Sequence, residues 1–249
     1  MSAAATLTDL SAMVDRRAAG EPLEHVLGWA EFCGLRIAVD PGVFVPRRRT
    51  EFLVSQAITL ASRPSQAAAR RRTVVVDLCC GSGALGVAVA TALGGVAGSE
   101  LAERQVELHA ADLDPVAVRC ARRNVAAVGG HVYEGDLYRP LPTTLRGRVG
   151  ILIANAPYVP TDKVALLPPE ARLHEPQVAL DGGADGLDIL RRVAGEAPQW
   201  LAPGGHLMSE TTERQASRLT EAVARAGLIP RVARSEELNA AVVVATRPA

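Results

Sequence analysis

TVVVDLCCGSGALG, residues 73–86, runs from a β-branched strand ending in an acid, through a loop holding Gly81 and Gly83, into an apolar helix. Strand, glycine loop and helix in that order make a unit of a doubly wound α/β sheet, whose ligands sit beyond the carboxyl ends of its strands. Glycine there lets the backbone take positive φ and approach a ligand closely. The spacing Gly81-Ser82-Gly83-Ala84-Leu85-Gly86 also fits a dinucleotide loop, and a tight strand-to-helix turn needs glycine with no ligand at all. Asp77 separates the ligand readings. A carboxylate just before the loop attracts the cationic amino-acid end of S-adenosyl-L-methionine (SAM) and repels a pyrophosphate.

Downstream, strands and helices alternate. Residues 106–112, 131–136, 149–155 and 206–210 read as strands, the last entered through a turn at Ala202-Pro203-Gly204-Gly205. Residues 84–93, 114–128, 185–201 and 212–227 read as helices, with Asp114 and Pro115 as a start signal, and 229–235 with 240–246 as a terminal hairpin. That alternation predicts a mostly parallel sheet covered on both faces. Upstream, residues 1–24 carry Leu7, Leu10, Met13 and Val14 at helical spacing. Residues 25–45 alternate as a β-hairpin, 46–50 turn, and 51–61 return to helical period. The polar, arginine-rich residues 62–72 divide a small N-terminal subdomain (1–61) from the main domain (73–249).

The 249 residues are 48% hydrophobic and 22% charged, with 27 Lys+Arg against 27 Asp+Glu, which is ordinary globular usage and excludes a disordered chain. Zero net charge argues against a device for gripping nucleic-acid phosphates. Arg47 to Arg49 and Arg70 to Arg72 form a local patch or solvated loops. Cys33, Cys79, Cys80 and Cys120 form no CxxC pair, so neither a metal site nor a disulfide framework is expected. The N-terminus lacks a signal peptide's basic and apolar regions, and no apolar stretch is long enough for a membrane span. A cytoplasmic protein is expected.

The strand ends carry the remaining chemistry. Asp112 closes the second strand, where a carboxylate accepts hydrogen bonds from both ribose hydroxyls. Asp136 follows the third and suits an adenine amino group, or simply a turn. The fourth runs into Asn155-Ala156-Pro157-Tyr158. The Asn155 amide oxygen and the Ala156 carbonyl, held extended before proline, can accept the two hydrogens of a substrate NH₂ and direct its lone pair at a methyl donor. Tyr158 can stack on a planar amide or base. No dedicated base is evident; His174 is the nearest candidate in sequence and reads better as a surface or packing residue.

In this order the motifs resemble the protein-(glutamine N5) methyltransferases, which modify the glutamine of the GGQ motif in translation release factors. The resemblance runs from about Gly20 to the C-terminus. It is carried by Gly20-Glu21-Pro22-Leu23 with Leu27-Gly28 and Glu31-Phe32; by Val45-Pro46-Arg47 with Thr50-Glu51; by Asp77-Leu78 with Gly81-Ser82-Gly83; by Asp112 and Asp136-Leu137; by Asn155, Pro157 and Tyr158; and by Glu175-Pro176, Ala179-Leu180 and Gly183–Leu187. It implies a Rossmann-like class I SAM-dependent methyltransferase, with a seven-stranded mostly parallel sheet and a small N-terminal helix and β-hairpin. It further implies SAM bound by Pro46, Asp77, Cys79, Gly81, Gly83, Asp112, Leu113, Asp136, Leu137 and Asn155, and an amide held by Asn155 to Tyr158. The sequence departs from the family in four places. NPPY is NAPY, Cys79 replaces the loop's first glycine, Arg48 and Arg49 replace a proline and an acid, and only nineteen residues precede Gly20 where the family has a longer helical domain. Alternatives are a methyltransferase acting on an amide or amine of a small metabolite, one acting on a nucleic-acid amino group, a non-catalytic SAM-binding protein, and, last, a NAD(P) oxidoreductase.

Overall fold

The structure is a computed structural model and describes residues 7–62, 72–94 and 105–249. The chain enters through α1 (Leu7–Ala18) and α2 (Leu23–Leu27), then β1 (Trp29–Phe32), β2 (Leu35–Ala38) and α3 (Glu51–Ala61). The main unit follows as β3 (Arg72–Leu78), α4 (Ala84–Gly94), β4 (Gln105–Asp112), α5 (Pro115–Ala126), β5 (His131–Glu134) and β6 (Val149–Ala154). Two short helices, α6 (Thr161–Val164) and α7 (Pro169–His174), precede α8 (Asp188–Trp200), β7 (Leu201–Thr211), α9 (Glu213–Arg225), β8 (Ile229–Ser235) and β9 (Ala240–Thr246).

Seven strands form one sheet in the order β5-β4-β3-β6-β7-β9-β8. β9 runs antiparallel to both neighbours, and the other pairs are parallel. The chain winds outward from β3 to β4 and β5, then returns to place β6 on the other side of β3, so a switch point opens between the carboxyl ends of β3 and β6. The inner strands β6 and β9, and β3 over Val74–Val76, are apolar because helices cover both faces, whereas the edge strands β5 and β8 carry exposed polar side chains. Val75, Ile151 and Ile153 point into one core with α3, α4 and α5, while Val74, Val76 and Leu152 point into another with α8 and α9. This is the two-residue alternation of a strand buried on both sides.

The β1–β2 hairpin turns at Cys33 and Gly34, both at positive φ, as a two-residue turn matched to strand twist requires. Phe32, Ile37, Val39, Val43 and Val45 share the first core with Leu53 and Ala57 of α3 and with the sheet. Asn124 of α5 fastens this segment: its amide exchanges two 2.9 Å bonds with the backbone of Ala38 and donates a third, at 2.8 Å, to the Ser82 carbonyl in the glycine loop.

Several boundaries differ from the sequence expectation. The helix expected over 1–24 is two helices parted at Gly20 and Pro22, and Leu10 and Val14 remain 53% and 57% exposed. The hairpin is confined to 29–38; residues 39–45 form no strand but turn at Pro41-Gly42, with Val39, Val43 and Val45 buried. β5 stops at Glu134, before Gly135 and Asp136, and β6 stops at Ala154. The expected turn at 202–205 lies inside β7, where the register against β6 jumps from Val149↔Leu201 to Ile151↔His206. Within the expected linker, residues 63–71, with Arg70 and Arg71, lie outside the described residues, as do residues 1–6. Among the described residues no helix is long and apolar enough to cross a membrane.

Candidate active site

Above the switch point lies a cleft of about 500 Å³, within the range of small-molecule sites. Its floor is the loop after β3 and its far side the ends of β4 and β5; the Asn155–Tyr158 turn, the segment around Pro46 and the chain on either side of α7 complete it. Of the residues singled out in the sequence, Pro46, Cys79, Gly81, Asp112, Leu113, Asp136, Leu137 and all four of Asn155–Tyr158 line this one cleft. Asp77, Gly83 and His174 do not.

Asp77 is 1% exposed and sits behind the loop, where its Oδ2 accepts a 2.8 Å bond from the Gly86 amide at the start of α4. Burial pushes its carboxyl up to about 7, against the pull of that amide. Its position is that of a fastener between β3 and α4. Gly83 is demanded by packing, since a Cβ there would stand 2.9 Å from Cγ2 of Val125 on α5. Cys79, in place of a glycine, carries φ 54°, a left-handed conformation that costs a side-chain-bearing residue about 1–2 kcal/mol.

Asp112 holds the loop in shape. Its Oδ2 accepts from the Gly81 amide at 2.8 Å and its Oδ1 from the Asp114 amide at 2.9 Å, while Asp114 caps α5 through Val116. Burial raises its pKa and the backbone donors oppose the rise. Each oxygen keeps a lone pair for a ligand hydroxyl. Beside it Leu113 is 54% exposed at the cleft wall, an apolar face suited to a planar ring. Asp136 is held below the usual carboxylate range by Arg192, which donates to Oδ2 at 2.6 Å. Arg139 approaches the same oxygen at 3.5 Å, which leaves Oδ1 for a ligand donor.

The Asn155–Tyr158 turn is clamped from behind. The Ser209 hydroxyl donates to the Ala154 carbonyl at 2.7 Å, and Gln215 Nε2 donates to the carbonyls of Tyr158 and Asp185 at 2.8 and 2.9 Å. The backbone of 180–182 pairs with Val159 through bonds of 3.1 and 2.8 Å. Here the late glycines find their reason: a Cβ on Gly182 would stand 2.6 Å from the Pro157 carbonyl, and one on Gly186 2.2 Å from that of Tyr158. Held this way, Asn155 presents an Oδ1 that is shielded from water and has no hydrogen-bond partner. An orphaned acceptor beside a cleft fits a ligand N–H that would complete it.

Arg192, Ile189, Glu175 and Arg49 also line the cleft, and sequence reasoning assigned none of them a site role. Arg192 and Ile189 lie on α8 and carry no local signal. Glu175 was noted only as part of a motif. Its Oε1 accepts from the Val45 amide at 3.2 Å and from Arg47, and burial raises its pKa against that guanidinium. Arg49 read as part of a solvated run, yet it pairs at 2.9 Å with Glu210, whose side chain is 3% exposed. Glu210 stands near the carboxyl end of β7, and the strand-end rule that picked out Asp112 would have found it.

The methyltransferase small domain family matches residues 35–167. The chain is 39% identical over 217 residues to the release factor glutamine methyltransferase of Geobacter sulfurreducens, covering 86% of this chain and 69% of that protein. It is 37% identical over 211 residues to the protein of the same name from Streptomyces coelicolor, covering 83% and 68%. Among solved structures, a methyltransferase from Pyrococcus furiosus shares the fold with a TM-score of 0.58 at 14% identity, over 96% of this chain and 100% of that one. By sequence kinship, the chain belongs to the release factor glutamine methyltransferase family.

Proposed function

We propose that this protein transfers a methyl group from SAM to the side-chain amide nitrogen of a glutamine in a protein, and that a translation release factor, which its relatives are named for, supplies that glutamine. The observation that carries the reading is the Asn155 Oδ1, shielded and unpartnered at the cleft wall beside Ala156-Pro157-Tyr158. Asp112 would take the ribose hydroxyls of SAM, Asp136 the adenine amino group, Leu113 a face of the adenine, and the 79–82 loop with Pro46 the amino-acid end. When bound, SAM would supply a methyl group on a sulfonium, an electrophile open to in-line displacement: the N–CH₃ bond would form as the S–CH₃ bond breaks, S-adenosyl-L-homocysteine would leave as product, and the nitrogen would give up one of its two protons to water.

The protein's own task is to make an amide nitrogen act as a nucleophile. Its lone pair is delocalised into the carbonyl, and complete loss of that conjugation costs on the order of 18–20 kcal/mol. Asn155 Oδ1 and the Ala156 carbonyl accept the two N–H bonds, fix the plane of the NH₂ group and aim its lone pair. Both acceptors also stabilise the positive charge that grows on nitrogen during transfer, in a cleft where such dipoles are stronger than in water. Tyr158 packs against the amide, and alignment supplies much of the remaining rate. Residues 1–61 act as the substrate side of the cleft through Phe44 and Arg47, and 73–249 as the methyltransferase domain.

The test is incubation with SAM and a release factor, followed by peptide mass spectrometry. One methyl on the GGQ glutamine is expected. An unmodified glutamine, with SAM binding measured in the same preparation, would overturn the release-factor assignment.

A further inference from the structure

Three segments distant in sequence meet at the hydroxyl of Tyr158. Arg49 precedes α3, Tyr158 ends the NAPY turn, and Glu210 lies near the end of β7. Arg49 Nε donates to Glu210 Oε1 at 2.9 Å, and its Nη2 donates to the Tyr158 hydroxyl. That hydroxyl donates in turn to Glu210 Oε1, also at 2.9 Å. The guanidinium carbon stands 5.9 Å from the centre of the Tyr158 ring. The triangle is closed: the phenol has both its donor and its acceptor engaged, so it is left to offer its ring, not its hydroxyl, to a substrate. With its carbonyl held by Gln215, Tyr158 is fixed at both ends.

The chemistry of the triangle is specific to arginine. One planar guanidinium reaches a carboxylate and a phenol together, which a lysine ammonium does not reproduce. It also neutralises a buried carboxylate whose second oxygen, Oε2, has no partner.

Resting on the glutamine reading above, we propose that Arg49 and Glu210 are positioning residues for methyl transfer. They lock the Tyr158 ring at the angle at which it packs on the substrate amide held by Asn155 and Ala156. Neither touches the reacting atoms. Without Arg49 the phenol loses a donor, Glu210 loses its counter-charge, and the ring tilts. An ångström-scale misplacement of this kind lowers transfer by about a hundredfold.

The experiment compares wild type, Arg49→Ala and Arg49→Lys in steady-state methylation of the release factor, with SAM affinity measured by calorimetry. The ring is followed separately by fluorine NMR of protein carrying fluorotyrosine. The chain has three tyrosines, and Tyr158→Phe assigns the signal. For Arg49→Ala we expect kcat to fall with SAM affinity unchanged and the Tyr158 signal to shift and broaden; Arg49→Lys falls between. A role in stability alone would lower the melting temperature and leave kcat untouched. Full kcat in Arg49→Ala, or an unmoved Tyr158 signal, overturns the clamp. A wild type that binds SAM and methylates no glutamine overturns the parent reading, and the positioning role with it.

Discussion

Replacing Asn155 with alanine separates catalysis from folding. The amide oxygen it removes makes no hydrogen bond within the protein and is shut off from water. Leaving such an acceptor unpaired costs about 1–3 kcal/mol, so its removal relieves the folded state. Against that stands a small loss of packing, and the net effect on stability lies between zero and about 1 kcal/mol of gain. For a chain of this size that is a rise of at most about 2–4 °C in melting temperature. Transfer responds the other way. One of two preorganised dipoles aimed at the developing charge is lost, an effect comparable to removing an oxyanion-hole donor, about 10²–10³ in kcat or 2.7–4 kcal/mol. SAM affinity stays near wild type, because Asp112 and Asp136 keep their geometry. The assay is methyl transfer at saturating SAM, with thermal melts and calorimetry on the same preparation. Unchanged turnover refutes the role of Asn155. A melting temperature lowered by many degrees refutes the claim that its oxygen is held in reserve for a ligand.

Other substitutions probe neighbouring parts of the account. Gly186→Ala places a Cβ 2.2 Å from the Tyr158 carbonyl at φ +78°, and backbone strain plus overpacking amount to about 3–4 kcal/mol; denaturant melts should show that loss together with lost transfer. Gly195→Ala, in open space on α8, should gain about 0.5–1 kcal/mol. Asp77 yields a pH signature. Its carboxyl titrates at about 7 in the folded protein against an ordinary 3.8, so the folded state binds more protons between those values and stability falls as pH rises through the window. At about 1.36 kcal/mol per pH unit the penalty reaches about 4 kcal/mol above pH 7. Asp77→Asn should therefore flatten the stability profile of the SAM-free protein and exceed wild type at pH 8, and parallel profiles would refute this. Asp136→Ala should weaken SAM binding about tenfold, the loss of one charged hydrogen bond, with kcat at saturating SAM retained.

Much of this site is written locally. A strand ending in an acid or amide marked Asp112, Asp136 and Asn155, and strand direction brings all three to one cleft. The same rule misplaces Asp77: it belongs to such a strand, but the loop folds over it, and only the packing of α4 on β3 reveals that. What escaped the sequence depends on contacts between distant segments. Arg49 looks like the middle of a solvated arginine run until Glu210, from β7, is seen to meet it. Gly186 read as part of a motif and Gly182 was not marked at all; their reason lies in the carbonyls of Pro157 and Tyr158, more than twenty residues upstream. The turn expected at 202–205 contains the right residues for a turn, yet pairing with β6 and β9 absorbs them as an irregularity within β7. At the N-terminus, apolar spacing signalled one helix, and Gly20 with Pro22 parts it into two.

The central claim is that the methyl group lands on an amide nitrogen presented by Asn155 and Ala156. Its most direct test is to treat a release factor with methyl-labelled SAM and this protein, and to identify by NMR the atom of the modified residue that carries the label. The account predicts the label on the side-chain nitrogen of the GGQ glutamine, arriving about 10²–10³ times more slowly when Asn155→Ala replaces wild type. A label on any other atom, or one that survives Asn155→Ala at the wild-type rate, would contradict it.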